Sequence, residues 1–378
     1  MITPAALHKR FIPFSSLSYS TEAFIDYCIP ACKPKFNYAL IGAGVSQNPK
    51  QPVSLREHHG FQLGGVSMPH GKVNPPHMHF TCEVFICTRG DWRVQWGFNP
   101  EPSHADIGVG DIASMPTWLY RGFTNVGVDD GYLFTVLGGD STGGILWGPE
   151  TLAAAREQGV QLTSDYQIID STRGDVLPPG KTLLQPMTPE EIATLQVWTP
   201  QAMANRIVRF NDLHWSQQAL LDAGLPGGGA QLAPVIGMGM TQDRRAHAPV
   251  ANDHGMSVEW LRLPPGASVG LHRMHEKQVV IAKSGHVDIS VHTTEGPVTY
   301  TTVGTEHAWD TFCMPPNCWR MLTNRGSTEA LALLLTSGGH RKRIEWDASV
   351  VAAAGRLDTA VDADGFLAPK RFVDRAQR

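Results

Sequence analysis

Short runs of alternating apolar and polar residues recur in two parts of the chain, and Gly, Pro, Asn and Asp separate them. An alternation with a period of two places apolar side chains on one face of a strand, and turn formers between the runs are typical of antiparallel sheets. The apolar positions are Val66, Val84, Ile86, Val94 and Trp96 in the first part, and Val279, Val280, Ile281, Val287, Ile289 and Val291 in the second. The pattern predicts two regions built from short strands.

These two regions are similar in sequence. Residues 71–90 (GKVNPPHMHFTCEVFICTRG) align with residues 266–285 (GASVGLHRMHEKQVVIAKSG) at an offset of 195, which places His77 opposite His272. Residues 115–125 align with residues 314–324 at an offset of 199, which places Arg121 opposite Arg320. An internal repeat in two separated blocks indicates that one barrel or sandwich was duplicated.

The segment between the copies has a helical pattern, in residues 149–159 and 188–206, where Thr188 is an N-cap candidate followed by Pro189. We therefore expect five parts. They are an N-terminal extension (1–50), a first barrel with a metal site (51–148), a helical and loop connector (149–250), a second, degenerate barrel (251–340) and a C-terminal extension (341–378).

Composition agrees with a soluble globular protein of two domains, because 378 residues exceed what one core usually organises. The net charge of −4 is spread along the chain and gives no footprint for nucleic acid or an anionic membrane, so we expect a small-molecule partner. Six cysteines lack the spacing of a disulfide framework or a zinc site. The beginning of the sequence has no apolar signal segment, which favours a cytoplasmic protein.

Two motifs carry the chemistry. Gly71, His77, His79, Glu83 and Gly90 match the first motif of the cupin family at every position, and Gly110, Pro116 and Asn125 match its second motif. The chain thus resembles a bicupin, which implies an all-β dominated fold of two jelly-roll (double-stranded β-helix) barrels with a few connecting helices, and a homo-oligomer. It departs from the second motif at Trp118, where the family has Gly, and at Arg121, where the family has its fourth metal ligand, a histidine.

The triplet His77, His79 and Glu83 is the candidate metal site. Residues at i, i+2 and i+6 of an extended strand project to one face, so the three side chains converge inside the barrel. Two imidazoles and one carboxylate form a facial triad that suits Fe(II) first, with Mn, Ni, Cu or Zn as alternatives. The competing interpretation is that both histidines only point into a polar barrel while Glu83 pairs with Arg121.

Arg121 cannot bind a metal, so it has another role. Either its planar fork binds a substrate anion beside the metal, as a catalytic and substrate-binding residue, or it pairs with Glu83 and competes with metal binding. Trp118 and Tyr120 are candidate substrate-binding residues at the mouth of the barrel, although barrels commonly bury aromatic side chains in their cores.

In the second barrel, Met274 and Gln278 occupy the positions of His79 and Glu83, which leaves His272 as the one matching ligand. We expect no metal there and a mainly structural role. His272, Gln278 and Arg320 mark the place where this barrel would have a pocket.

The architecture is similar to the gentisate and salicylate dioxygenases, which use Fe(II) and dioxygen. The resemblance implies a mononuclear non-haem Fe(II) dioxygenase that acts on a small anionic substrate, a carboxylated aromatic or diketone-like compound. Two alternatives stay open: a redox-neutral, metal-dependent decarboxylase, lyase or isomerase, and a non-enzymatic bicupin that binds a small ligand.

Overall fold

The structure is a computed structural model that describes residues 2–98, 102–251 and 254–376. Contacts divide these residues into two compact units. The first barrel unit comprises residues 17–211, and the second barrel unit comprises residues 2–16 together with the described residues from 212 onward. Each unit is dominated by antiparallel β-structure, which confirms the predicted fold class.

The first barrel unit contains two curved sheets, ordered β16-β10-β7-β12-β5-β3-β2, with β4 beside β3, and β13-β6-β11-β8-β9. Both sheets contribute apolar side chains to a shared core that includes Phe85 and Phe123. Its strands are β2 (Tyr19–Ser20), β3 (Phe36–Ile41), β4 (Val53–Leu55), β5 (Phe61–Met68), β6 (Val73–His79), β7 (Glu83–Arg89), β8 (Trp92–Trp96), β9 (Ser103–Ile107), β10 (Ile112–Met115), β11 (Arg121–Asn125), β12 (Gly131–Gly138), β13 (Ile145–Trp147), β14 (Val160–Leu162), β15 (Ile168–Asp170) and β16 (Ile207–Val208).

The second barrel unit repeats this plan, but one long strand, β20, takes part in both halves of the barrel. Its beginning pairs with β22 and β24, and its end pairs with β21 and β23. The strands are β1 (Phe11–Ile12), β17 (Gln231–Ile236), β18 (Met256–Leu263), β19 (Ser268–Arg273), β20 (Gln278–Thr293), β21 (Gly296–Gly304), β22 (Thr311–Met314), β23 (Arg320–Thr323), β24 (Ala330–Ser337), β25 (Glu345–Trp346), β26 (Thr359–Val361) and β27 (Leu367–Pro369).

Six short α-helices accompany the strands, and none of those in the described residues is long and apolar enough to cross a membrane. They are α1 (Pro4–His8), α2 (Pro149–Glu157), α3 (Pro189–Ala193), α4 (Pro200–Met203), α5 (Ala348–Arg356) and α6 (Lys370–Ala376). A capping box at Thr188 and Glu191 starts α3 as the N-cap pattern predicts. The predicted helix over 188–206 is interrupted, because a separate N-cap at Thr199 starts α4 at Pro200.

The duplication extends beyond the aligned motifs. A helix and a two-stranded hairpin follow each barrel, namely α2 with β14 and β15, and α5 with β26 and β27. A two-residue strand also borders the equivalent strand of each barrel, because β16 pairs with β10 and β1 pairs with β22. The five-part division of the sequence stays a prediction, but both predicted extensions contribute strands to the units.

Candidate metal centre

Two consecutive strands, one from each sheet of the first barrel unit, and the short turn between them position the three candidate ligands. His77 and His79 lie near the end of β6, and Glu83 begins β7 after the turn at 80–82. The three residues come together as the sequence predicts, and their role as metal ligands stays a prediction. The reason given for Glu83 was wrong, because it does not share a strand with the histidines and a chain turn brings it back to them. All three side chains are buried.

The donor atoms of the triplet form one cluster, within 4.8 Å of one another. Glu83 Oε2 lies 3.2 Å from His79 Nε2 and 3.9 Å from His77 Nε2. Both nitrogens of His79 and Glu83 Oε2 are buried without a hydrogen-bond partner. Such atoms are costly to bury unless a cation satisfies them, so the donor set fits one divalent metal.

A buried chain of polar groups supports His77. Its Nδ1 lies 2.9 Å from Pro75 O, and because a carbonyl oxygen only accepts, Nδ1 carries the proton and Nε2 keeps its lone pair for a metal. Asn74 Nδ2, itself a donor, lies 3.1 Å from the same nitrogen, so in this tautomer it packs against the edge of the ring without a hydrogen bond to Nδ1. Lys35 Nζ donates to Asn74 Oδ1 at 2.6 Å and pairs with Asp26 at 2.5 Å. These contacts fix the orientation of the imidazole ring.

The protonation states also suit metal binding. Burial lowers the pKa of His79 to about 4, against the attraction of Glu83, so its ring is neutral at neutral pH. Burial alone would raise the pKa of Glu83, but His79, His77 and Arg121 outweigh it and hold that pKa well below its usual range. Burial lowers the pKa of Arg121 to about 10, which leaves it cationic at neutral pH. The site thus combines neutral imidazole, one anion and one cation.

Arg121 lies where the sequence places it, beside the ligands. It begins β11, and its Cα is paired with that of His77 on β6. Nη2 donates to Pro116 O at 2.5 Å, while Nε and Nη1 are buried without a partner. Across the described residues, the basic side chains with a nitrogen within 4.0 Å of the Glu83 carboxylate are the two histidines and not Arg121. This geometry favours an anion-binding role over the Glu83 pair.

A small cavity of about 80 Å³ ends on the three ligands. Polar amides and apolar side chains line it together, and several come from the part of the chain before residue 50 that showed no strand pattern. By the space a water needs, it holds roughly five to eight water-sized groups. The lining residues with functional groups of interest are Phe24, Asn37, Gln51, Gln62, Asn74 and Trp147.

The absence of a side chain at Gly64 leaves room for this cavity. It lies on β5 two positions before Val66, a core residue, so it faces the same interior. In the second barrel the equivalent residue on β18 is Glu259, which is fully buried two positions before the core residue Leu261. A side chain thus occupies in the second barrel the place that a glycine leaves free in the first.

Trp118 and Tyr120 line a different cavity, of about 840 Å³, between the barrel wall and residues 186–200. Trp118 is 51% exposed, whereas Tyr120 is buried. Trp118 has a φ of +60°, so the backbone keeps the left-handed conformation that the family's glycine would supply. The backbone N–H of Trp118 donates to His79 O at 3.4 Å, but the side chains of both residues line this other cavity, and their role in substrate binding stays a prediction.

The second barrel has the same positions with different chemistry. His272, Gln278 and Arg320 are fully buried at the places of His77, Glu83 and Arg121, and Met274 is buried at that of His79. His275 is exposed and contacts Asn317, so it is no substitute ligand. Among the described residues, the His77 cluster is the one group of three or more His, Cys, Asp or Glu side chains with metal-site geometry.

Solved structures with a similar backbone are oxalate decarboxylases. The Lactobacillus farciminis oxalate decarboxylase formate complex matches with a TM-score of 0.54 at 13% identity, over 90% of this chain and 89% of that chain. Bacillus subtilis oxalate decarboxylase at pH 4.6 matches with a TM-score of 0.51 at 13% identity, over 88% of this chain and 77% of that chain. This chain has the bicupin fold. At such low identity the similarity to these bicupins establishes the fold alone.

No protein-family model and no curated protein matches the sequence of this bicupin. Its candidate site must therefore be interpreted from its own residues. Sequence reasoning missed Lys35, Asp26 and Asn74, which support His77, because no motif or periodicity marks them. Gly64 had a usable signal, since the offset of 195 already aligns it with Glu259.

Proposed function

We propose that this bicupin is a metal-dependent, redox-neutral decarboxylase or related lyase that acts on a small carboxylate dianion. The observation that carries the proposal is the small cavity of about 80 Å³ that ends on His77, His79 and Glu83. Its size suits a short-chain dicarboxylate better than a hydroxylated aromatic acid. The structural neighbours are oxalate decarboxylases, which agrees with this substrate class.

The charges near the site support a dianion. Glu83 and Arg121 cancel, and His79 is neutral, so a bound divalent metal would leave two positive charges in a buried site. Uncompensated charge in a low-dielectric interior is costly, and a substrate with two carboxylates would balance it. One carboxylate would lie near the metal ligands, and the free N–H groups of Arg121 would hold and orient an oxygen of the substrate.

His77, His79 and Glu83 would hold the metal, and Arg121 would bind the substrate anion. A divalent metal in this position supplies Lewis acidity, which polarises a carboxylate or carbonyl oxygen. The chain's own contribution is placement and shielding: Lys35 and Asn74 keep the His77 ring oriented, and Phe24, Leu137 and Trp147 limit water at the reacting carbons.

The dioxygenase expectation has less support than this redox-neutral alternative, because the cavity is small and the structural neighbours are decarboxylases. Iron stays one choice of metal beside Mn, Ni, Cu and Zn. Homo-oligomerisation and a cytoplasmic location likewise stay predictions.

The test compares carbon dioxide release with oxygen uptake. The metal-free protein is reconstituted in turn with Mn(II), Fe(II), Ni(II), Cu(II) and Zn(II) and given oxalate, malonate, 2-oxo acids and aromatic acids. We expect one short dicarboxylate to release carbon dioxide without stoichiometric consumption of oxygen, and His77→Ala to abolish the release. Stoichiometric oxygen uptake with an aromatic acid would restore the dioxygenase hypothesis. Substoichiometric metal and no turnover would favour a ligand-binding protein.

A further inference from the structure

The second barrel keeps a buried polar cluster that the proposed reaction does not use. His272 on β19 has its Cα paired with that of Arg320 on β23, as His77 has with Arg121. Gln278 begins β20 between Met314 and Thr336, in the register that Glu83 has in the first barrel. All three polar side chains are fully buried. This cluster therefore faces the interior of the second barrel.

Arg320 presents one complete edge of its guanidinium group. Nη1 donates to Pro315 O at 3.2 Å, while Nε and Nη2 are buried without a hydrogen-bond partner. Elsewhere in this structure, Arg93 and Arg273 each use the same Nε and Nη2 edge to donate two hydrogen bonds of 2.7 to 2.8 Å to a carboxylate. In Arg121 that edge is already partly used, because its Nη2 donates to Pro116 O. The free edge is thus specific to the second barrel.

Two acceptors accompany these donors. His272 Nδ1 lies 2.7 Å from Gly270 O and must donate to it, so Nε2 carries a lone pair, and this atom is buried without a partner. Burial lowers the pKa of His272 to about 3, which keeps the ring neutral. Gln278 Nε2 donates to Thr336 Oγ1 at 3.1 Å, which leaves the buried Oε1 as an acceptor without a partner.

Within the described residues, no carboxylate oxygen lies within 4.0 Å of a nitrogen of Arg320. Glu276, the carboxylate that acts electrostatically on Arg320, lies 3.4 Å from His340. Burial lowers the pKa of Arg320 to about 10, against the pull of Cys318 and Glu276, so the group remains cationic at neutral pH. Because Glu259 fills the place that Gly64 leaves open in the first barrel, a ligand here must be small.

We propose that the second barrel binds one small planar oxyanion of the hydrogencarbonate type, held by the Nε and Nη2 edge of Arg320 and by the acceptors His272 Nε2 and Gln278 Oε1. Two oxygens of such an anion accept from the guanidinium edge, and its O–H donates to an acceptor of the cluster. Nitrate is also a planar oxyanion but has no O–H group to donate. Chloride has neither a planar set of oxygens nor an O–H group.

The test is a calorimetric titration of the full chain with sodium hydrogencarbonate at mildly alkaline pH and constant ionic strength. The protein is first treated with a chelator, so that a metal in the first barrel does not bind the anion itself. We expect one equivalent of hydrogencarbonate to bind. Nitrate and chloride are expected to bind at least about tenfold more weakly, because each would leave a buried hydrogen-bonding group of the cluster without its partner.

Arg320→Lys keeps the charge but removes the planar edge, and Gln278→Leu removes one acceptor at similar volume. Each is expected to weaken hydrogencarbonate binding about tenfold or more. Arg93→Gln changes an exposed arginine of the first barrel that already pairs with Asp106, and this control is expected to leave binding unchanged. If Arg320→Lys does not fold, as judged by circular dichroism, Gln278→Leu carries the test. Absence of binding to the wild type, or binding unaffected by the folded second-barrel variants, would overturn the proposal.

Discussion

Replacing Glu83 with Gln removes the anionic ligand of the candidate metal centre while keeping its shape. The variant gives the first barrel the residue that the second barrel has at Gln278. Glu83 Oε2 is 3.2 Å from His79 Nε2, so a metal bound to both would lie within a few ångströms of the carboxylate. Arg121 would then face the metal without a compensating anion.

The magnitude follows from the charges. A unit charge at about 4 Å contributes about 4 kcal/mol at an effective dielectric constant of 20. Since about 1.4 kcal/mol corresponds to a tenfold change, Glu83→Gln is expected to weaken metal binding by at least about a thousandfold.

The assay is the metal content of the purified protein after dialysis against a competing chelator, with the dissociation constant from calorimetry. Wild type and Gln278→Leu, a change at the equivalent position of the second barrel, are expected to retain one equivalent of metal, and Glu83→Gln is expected to lose it. Retention of a full equivalent by a folded Glu83→Gln protein, with an affinity within tenfold of wild type, would refute the assignment of Glu83 as a ligand.

Three further outcomes are expected. Burial raises the pKa of Glu259 from 4.5 to about 8, so the folded state loses stability as the pH rises from 4.5 through 8. Glu259→Gln should therefore match the stability of wild type below this pH range and be on the order of 5 kcal/mol more stable above it. The free energy of unfolding, measured at several pH values, checks this. Arg121→Gln should raise KM for the anionic substrate about tenfold or more while bound metal is retained, and an unchanged KM would contradict substrate binding by Arg121. Asn74→Ala should weaken metal binding about ten- to a hundredfold by freeing the His77 ring, and unchanged affinity would show that the Pro75 carbonyl suffices.

Much of the fold could be predicted from the sequence because the internal repeat and the first motif are both recognisable in it. His77 and His79 lie at the end of β6 and Glu83 lies at the start of β7, with a three-residue turn between them, which leaves little freedom in their spacing. The position of Arg121 followed from the second motif, and the structure places it beside His77.

The cavity wall could not be predicted in the same way. β3 is mostly buried, with the sequence FNYALI, and lacks the clean alternation that marks a strand with one exposed face. The polar support of His77 joins Asp26 and Lys35, more than thirty-five residues upstream, to Asn74. Only the fold brings these residues together, and no local sequence pattern predicts the contacts between them.

The assignment of Trp118 and Tyr120 to the barrel mouth came from their closeness to the motif in sequence. In the structure both residues lie in the loop between β10 and β11, and their side chains line a larger cavity than the one that reaches the ligands. The path of a loop does not follow the alternation of a strand, so proximity to Arg121 in sequence could not decide which cavity they line.

The strand β1 has a consequence for how the second barrel unit folds. It pairs with β22, so a segment that precedes the first barrel unit in sequence finds its partner only after residues 311–314 have been synthesised. A fragment of residues 17–211 would carry every strand of the first barrel unit, whereas a fragment that starts at residue 212 would lack β1 and leave the edge of β22 open to association with other chains. Expressed separately, the two halves of this duplication would therefore behave unequally, because only the second would need a segment from before residue 17.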